Sequence, residues 1–177
     1  MFINYAHRGA SEYAPENTFA AFYMGQFMGA NGIETDVQKT ADGNLVLFHD
    51  DTMERITGLQ GSIGDYTYNE LLQMDFGVHK GSEFKNEPIV LLRDFLKYFG
   101  GKPLSFAIEI KTDGIEREVL SAIEDYHCKE KVIVTSFVLQ HLVNVRDFDE
   151  GIILGFLTYE SGKKLIDDML VKGIMQY

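Results

Sequence analysis

The apolar residues of this chain keep two rhythms that take turns. In residues 2–6, 33–37, 45–48, 104–110, 131–136 and 152–157 they crowd into short runs, which predict strands. Elsewhere they recur every three or four positions, which predicts helices. Phe19, Phe22, Tyr23, Phe27 and Ala30 follow Pro15-Glu16-Asn17-Thr18, where Pro suits a helix start and Asn or Thr a cap. Gly29-Ala30-Asn31-Gly32 closes that helix. Further helices are predicted over 91–99, with Leu92, Phe95, Leu96 and Phe99 on one face, over 116–126, 138–145 and 161–171, and a short one over 69–74. Ala41-Asp42-Gly43-Asn44 is a turn, and residues 173–177 can begin one more strand.

Strand–helix units in series predict a parallel sheet covered by helices. Such a sheet either stays open and doubly wound or curls into a barrel. Six strands with a seventh beginning fall short of a closed eight-strand barrel, which needs roughly 200–250 residues; this chain has 177. Residues 51–103 break the alternation: Gly, Asp, Asn and Tyr are frequent, and the stretch is too long for a plain connection. It is expected to form an inserted subdomain after the third strand.

Charge narrows the partners. The net charge of −11 and a pI of ≈ 4.8 disfavour nucleic acid and anionic lipid. A local cation, Lys or Arg can still hold an anionic substrate in one cleft. Cys128 is the one cysteine, so no disulfide forms within the chain. No secretory pattern opens the sequence, and no window approaches the ~18 apolar residues of a membrane span. A cytoplasmic location is the expectation.

The ionisable residues cluster at the ends of predicted strands: His7 with Arg8, Glu34 with Asp36, His49, and Glu109 with Lys111. That edge is where parallel barrels and open α/β sheets bind ligands. Residues two apart on a strand share a face, so Glu34 pairs with Asp36 and Glu109 with Lys111. Singly, each is an ordinary surface charge or capping residue. Together on one rim, three carboxylates repel one another unless a proton or cation sits among them. An all-oxygen set selects a hard divalent ion, Mg²⁺ or Ca²⁺. Two histidines, Arg8 and Lys111 beside such an ion suit phosphoester hydrolysis. No Gly-rich phosphate loop or Gly-x-Ser-x-Gly elbow is present, which argues against nucleoside triphosphate chemistry and a Ser nucleophile.

Several of these stretches resemble the glycerophosphodiester phosphodiesterase family: His7-Arg8-Gly9 with Pro15-Glu16-Asn17-Thr18, Gly32-Ile33-Glu34-Thr35-Asp36-Val37, Thr40-Ala41-Asp42-Gly43 with His49-Asp50, then Thr52 and Arg55, Glu109-Ile110-Lys111, and more weakly Ser136-Phe137. The likeness runs from about residue 5 to 160. It implies a TIM-type (β/α)8 barrel, incomplete at its C-terminus with about six to seven strands, that cleaves glycerophosphodiesters to glycerol 3-phosphate and an alcohol. By motif position, His7 and His49 would be the acid/base pair. Glu34, Asp36 and Glu109 would bind the metal, and Arg8 and Lys111 would contact phosphate. The segment after His49 would match the family's substrate-capping insertion. The family's aromatic-rich C-terminal motif has no counterpart here, so either homodimerisation or strand exchange is expected to compensate, or the barrel stays open. Two other readings compete: a non-catalytic binding or assembly member, and a phospholipase of the sphingomyelinase-D type, which the charge disfavours.

Overall fold

The computed structural model describes residues 2–159. Five strands run parallel in chain order across one sheet: β1 (Tyr5–His7) and β2 (Gly32–Lys39), then β4 (Ser105–Ile110), β5 (Val132–Ser136) and β6 (Ile153–Phe156). One strand lies off this row: β3 (Leu45–Leu47) runs antiparallel against the end of β2. Helices α1 (Phe19–Phe27), α4 (Leu92–Phe99), α5 (Glu116–Asp125) and α6 (Leu139–Phe148) connect the parallel strands, while α2 (Glu54–Thr57) and α3 (Tyr68–Leu71) are single turns in the excursion after β3. Among the described residues β1 and β6 each pair on one side only, so the sheet is open. The helix expected over 161–171 and the strand over 173–177 lie outside the described residues.

The strands divide their side chains by the two-residue period. Ile33, Val37, Phe106, Ile108, Ile110, Val132 and Val134 face the helices and share one buried cluster with Phe22, Leu92, Phe95, Phe99, Val119 and Leu142. Aromatic rings knit α1 to α4: Phe22 and Phe95 lie 4.8 Å apart between centroids, and Phe95 meets Phe106 edge-on at 5.5 Å. By the same register the opposite face carries His7 beside Glu34, and Asp36 beside Glu109 and Thr135. The polar residues that would spoil a core therefore line up on the face turned away from the helices.

One expectation is corrected. The apolar run at 45–48 predicts a further parallel strand, but β3 returns antiparallel. Only residues 40–44 join it to β2, and a parallel crossover needs a dozen residues or more. Gly43, at φ +85°, and Thr40, whose hydroxyl accepts from Asn44 N at 2.9 Å, shape that turn. The reversal has a consequence for position. β1 pairs with Gly32–Glu34 on one edge of β2, and β3 pairs with Val37–Lys39 on that same edge. One strand climbs to His7 and the other descends to Phe48, whose N–H donates to Asp36 O at 3.0 Å. His49 is thus delivered back to the level of the carboxylates.

β3 is apolar on both sides because it stands between two cores. Leu47 joins the main cluster, whereas Val46 and Phe48 join a satellite of Met53, Ile56, Ile63, Leu71, Phe76, Ile89 and Leu91. The satellite ends where α4 begins, since Leu92, Phe95, Leu96 and Phe99 all belong to the main cluster.

Candidate metal and phosphate site

The first strand ends in a tight backbone turn. Arg8 sits at φ +55° and Gly9 at φ +78°. A Cβ on Gly9 would stand 2.5 Å from the Ala21 carbonyl carbon, so glycine alone fits the close approach to α1. The left-handed turn at Arg8, uncommon for a residue with a side chain, aims its backbone N–H at Glu34 Oε2, 2.9 Å away.

Glu34, Asp36 and Glu109 bring one carboxylate oxygen each within 4.8 Å of one another. Burial, and then the Asp36 charge, push the Glu34 carboxyl up to about 8. Burial also raises Glu109, against the pull of Lys111. Asp36 is almost wholly enclosed. Its Oδ2 accepts from Asn17 Nδ2 at 2.9 Å, but its buried Oδ1 makes no hydrogen bond, and Lys111 Nζ stands 3.8 Å off. Lys111 lies closer to Glu109, at 3.0 Å. An orphaned buried carboxylate oxygen beside two carboxyls that resist ionising is an arrangement that a hard divalent cation completes. The five residues Glu34, Asp36, Glu109, Lys111 and Arg8 therefore meet, although Glu34 and Asp36 lie inside β2, which runs on to Lys39, and not at its end; the register sets them level with His7 and Glu109. Arg8 Nε lies 3.5 Å from Asp36 Oδ2, and His7 Nε2 lies 3.9 Å from Glu34 Oε2. Partial burial of its ring and the Arg8 charge hold His7 below its ordinary value.

His49 reaches the same rim from β3. Its Nδ1 lies 2.8 Å from Asp50 Oδ1. Hydrogen bonds from Arg55, helped by His49, hold Asp50 down to about 2, so this carboxylate only accepts and His49 Nδ1 carries the proton. Among the described residues His49 Nε2 has no hydrogen-bond partner. An open cleft of about 610 Å³ adjoins, lined by His49, Asp50, Lys111, Phe137 and Tyr159 among others, with the Phe137 and Tyr159 rings stacked at 5.3 Å.

Three supports were not assigned roles from the sequence. Asn17, at φ +56°, accepts from Thr35 Oγ1 at 2.7 Å while donating to Asp36, so one amide braces the Asp36 carboxylate. Glu16 accepts from Arg8 Nη1 at 3.2 Å and from Arg55, and these bonds outweigh the burial that would raise its pKa. Asp50 is the third. Glu16, Asn17 and Asp50 all fall inside the motifs quoted above, which was the only signal for them.

A second histidine chain lies elsewhere. Ser136 Oγ donates to Ile110 O at 2.9 Å and accepts from Val138 N at 3.1 Å. His141 Nδ1 meets that Oγ at 3.0 Å, and His141 Nε2 meets Asp113 Oδ1 at 2.6 Å. The order Ser–His–Asp imitates a hydrolase triad. Ser136, however, is 1% exposed and occupies the helix-facing register of β5.

Fold and site together define a class: a barrel-type parallel α/β protein with a carboxylate cluster suited to a divalent ion at the C-terminal rim of its strands. The chain belongs to the glycerophosphoryl diester phosphodiesterase family, whose model matches residues 7–171. A glycerophosphodiester phosphodiesterase of Caldanaerobacter subterraneus subsp. tengcongensis is 40% identical over 162 residues, covering 89% of this chain and 66% of the relative. Among solved structures, an Oleispira antarctica phosphodiesterase in complex with the product sn-glycerol-3-phosphate superposes with TM-score 0.84 at 28% identity, over 97% of this chain and 72% of that one. A glycerophosphodiester phosphodiesterase of Agrobacterium tumefaciens gives TM-score 0.82 at 28% identity, over 87% of this chain and 66% of that one. The chain thus spans about two thirds of the length of such relatives. No helix among the described residues is long and apolar enough to cross a membrane.

Proposed function

We propose that this chain hydrolyses glycerophosphodiesters to glycerol 3-phosphate and an alcohol. The observation that carries this reading is the convergence of Glu34, Asp36 and Glu109, with an unpartnered Asp36 oxygen, beside two histidines and two cationic side chains. Those carboxylates would hold Mg²⁺ or Ca²⁺, which when bound neutralises charge on the phosphate oxygens. Arg8 and Lys111 orient the phosphate, Arg8 as a planar fork and Lys111 as a point charge. His49 presents the bare Nε2 that takes the proton of the attacking hydroxyl, whether water or the glycerol 2-hydroxyl. His7, a stronger acid than ordinary histidine once charged, returns a proton to the departing alcohol. The satellite after β3 caps the substrate; of the stretch 51–103, residues 53–91 supply it, whereas α4 packs on the main core. The edges of β1 and β6, unpaired among the described residues, are where a second copy would add strands, an association that molar mass in solution reads out.

The test is release of glycerol 3-phosphate from glycerophosphocholine and glycerophosphoethanolamine with Mg²⁺, Ca²⁺ or EDTA. Metal-dependent release, lost by about 10³-fold in Glu34→Ala, is expected. Folded protein that binds glycerol 3-phosphate yet releases none with any metal would establish the non-catalytic reading instead.

A further inference from the structure

Arg55 is 49% exposed in its side chain, yet it makes more directed bonds than any other cation around the site. Its Nε donates to Asp50 Oδ2 at 2.6 Å and its Nη2 to Asp50 Oδ1 at 2.9 Å. On its outer edge Nη1 donates to Glu16 Oε2 at 2.9 Å and Nη2 to Glu16 Oε1 at 2.7 Å. One guanidinium therefore grips two carboxylates, each by both oxygens. Asp50 in turn holds His49 Nδ1, and Glu16 holds Arg8 Nη1. The result is one chain of polar contacts, His49–Asp50–Arg55–Glu16–Arg8, that joins a histidine delivered by β3 to an arginine at the end of β1.

We propose that Arg55 is a positioning residue that sets the His49 tautomer and the aim of Arg8 together, without touching substrate. The inference rests on the phosphodiesterase reading for its catalytic consequence but not for its structural one. Its geometric basis is the fork: a guanidinium offers five N–H donors in a plane, and a Lys in its place would satisfy one carboxylate at a time. Exposed ion pairs stabilise little, so the return on these four bonds is orientation and not fold stability. Where Arg55 sits is decided by Met53, the residue that caps α2, and by Ile56 within it, both buried in the satellite cluster. The guanidinium is thus held in place from the satellite.

Two readouts separate this proposal from the function it builds on. Nitrogen-15 spectra of the histidine rings at a pH where they are neutral are expected to show His49 as the Nδ1–H tautomer. In Arg55→Met the two tautomers are expected to mix, with an unchanged melting transition. In the assay, Arg55→Met and Arg55→Lys are expected to lose about 10- to 100-fold in kcat, the range for outer supports of a site. Added guanidinium ion is expected to restore part of the activity of Arg55→Ala. An unchanged tautomer in Arg55→Met, or wild-type kcat in both variants of an active enzyme, would overturn the proposal. A wild-type protein that releases no product would instead sink the phosphodiesterase reading and leave the tautomer result to decide the role of Arg55.

Discussion

Two hydrogen-bonded chains in this molecule join a histidine to an aspartate, and they differ in what surrounds them. His49–Asp50 stands on an open rim, beside three carboxylates and two cations, with its free nitrogen uncovered. His141–Asp113 reaches a serine and so looks more like a nucleophile assembly. That serine is sealed, and its hydroxyl proton is already committed to Ile110 O. The serine also accepts a bond from Val138 N, so it has little left to offer a substrate. Connectivity alone does not make a reactive centre. Access, and an electrostatic need left unfilled by the protein, distinguish the first chain from the second. The second is a brace that ties the end of β4 and the loop after it to β5 and α6.

Removing each histidine tests the comparison most directly. His49→Ala is expected to cut kcat by about 10²-fold or more, as loss of a general base does, with little change in melting temperature. His141→Leu should do the reverse, costing about 1 kcal/mol of stability, as loss of a buried hydrogen bond does, since Asp113 is solvated and Ser136 keeps its bonds to Ile110 O and Val138 N, while kcat stays within a few-fold. Ser136→Ala is the deeper cut on the same brace: it takes a partner from Ile110 O, Val138 N–H and His141 Nδ1 and should cost roughly 1–3 kcal/mol. If chemical denaturation finds His141→Leu neutral while activity collapses, the roles assigned to the two chains are wrong.

A smaller effect sharpens the electrostatic half of the contrast. Glu34 holds its proton up to about 8 in the folded, metal-free protein, whereas a carboxyl freed by unfolding loses it near 4.5. The folded state therefore binds more protons between those values, and the Glu34 contribution to stability is complete below the lower value and lost as pH rises through the upper one. Glu109 is shifted in the same direction. Denaturation in EDTA should show stability falling with pH between about 4.5 and 8, by at most about 1.4 kcal/mol per unit for each proton. Saturating Mg²⁺ or Ca²⁺ should flatten that fall, and Glu34→Gln should remove most of it. A flat profile in EDTA would mean that the three carboxyls are not crowded in the way described.

Much of this was legible in the chain itself. The parallel strands and the helices between them follow from apolar periodicity, because burial under helices imposes it. Glu34, Asp36, Glu109 and Lys111 were found as strand-end residues sharing a face, a purely local rule. The direction of β3 was not found, since an apolar run carries no sign of which way it travels. The five-residue link from Lys39 to Leu45 was the available clue. Arg55 and Glu16 were beyond local rules, because they lie 39 positions apart and meet only through the tertiary fold.

The strand shared between two cores gives the site a thermodynamic address. Leu47 N–H is bonded to Val90 O, in the backbone between the satellite residues Ile89 and Leu91, and Phe48 N–H to Asp36 O, so the end of the satellite segment, β3 and the strand carrying Asp36 exchange hydrogen bonds within two residues of His49. Opening the satellite would strip Val46 and Phe48 of their packing and let His49 swing away while the parallel strands stay folded. The amides of Leu47 and Phe48 should then exchange with solvent deuterium at the rate of the satellite's buried amides, faster than those of β4. The carboxylates would belong to the last part of the molecule to unfold, and His49 to a part that opens first.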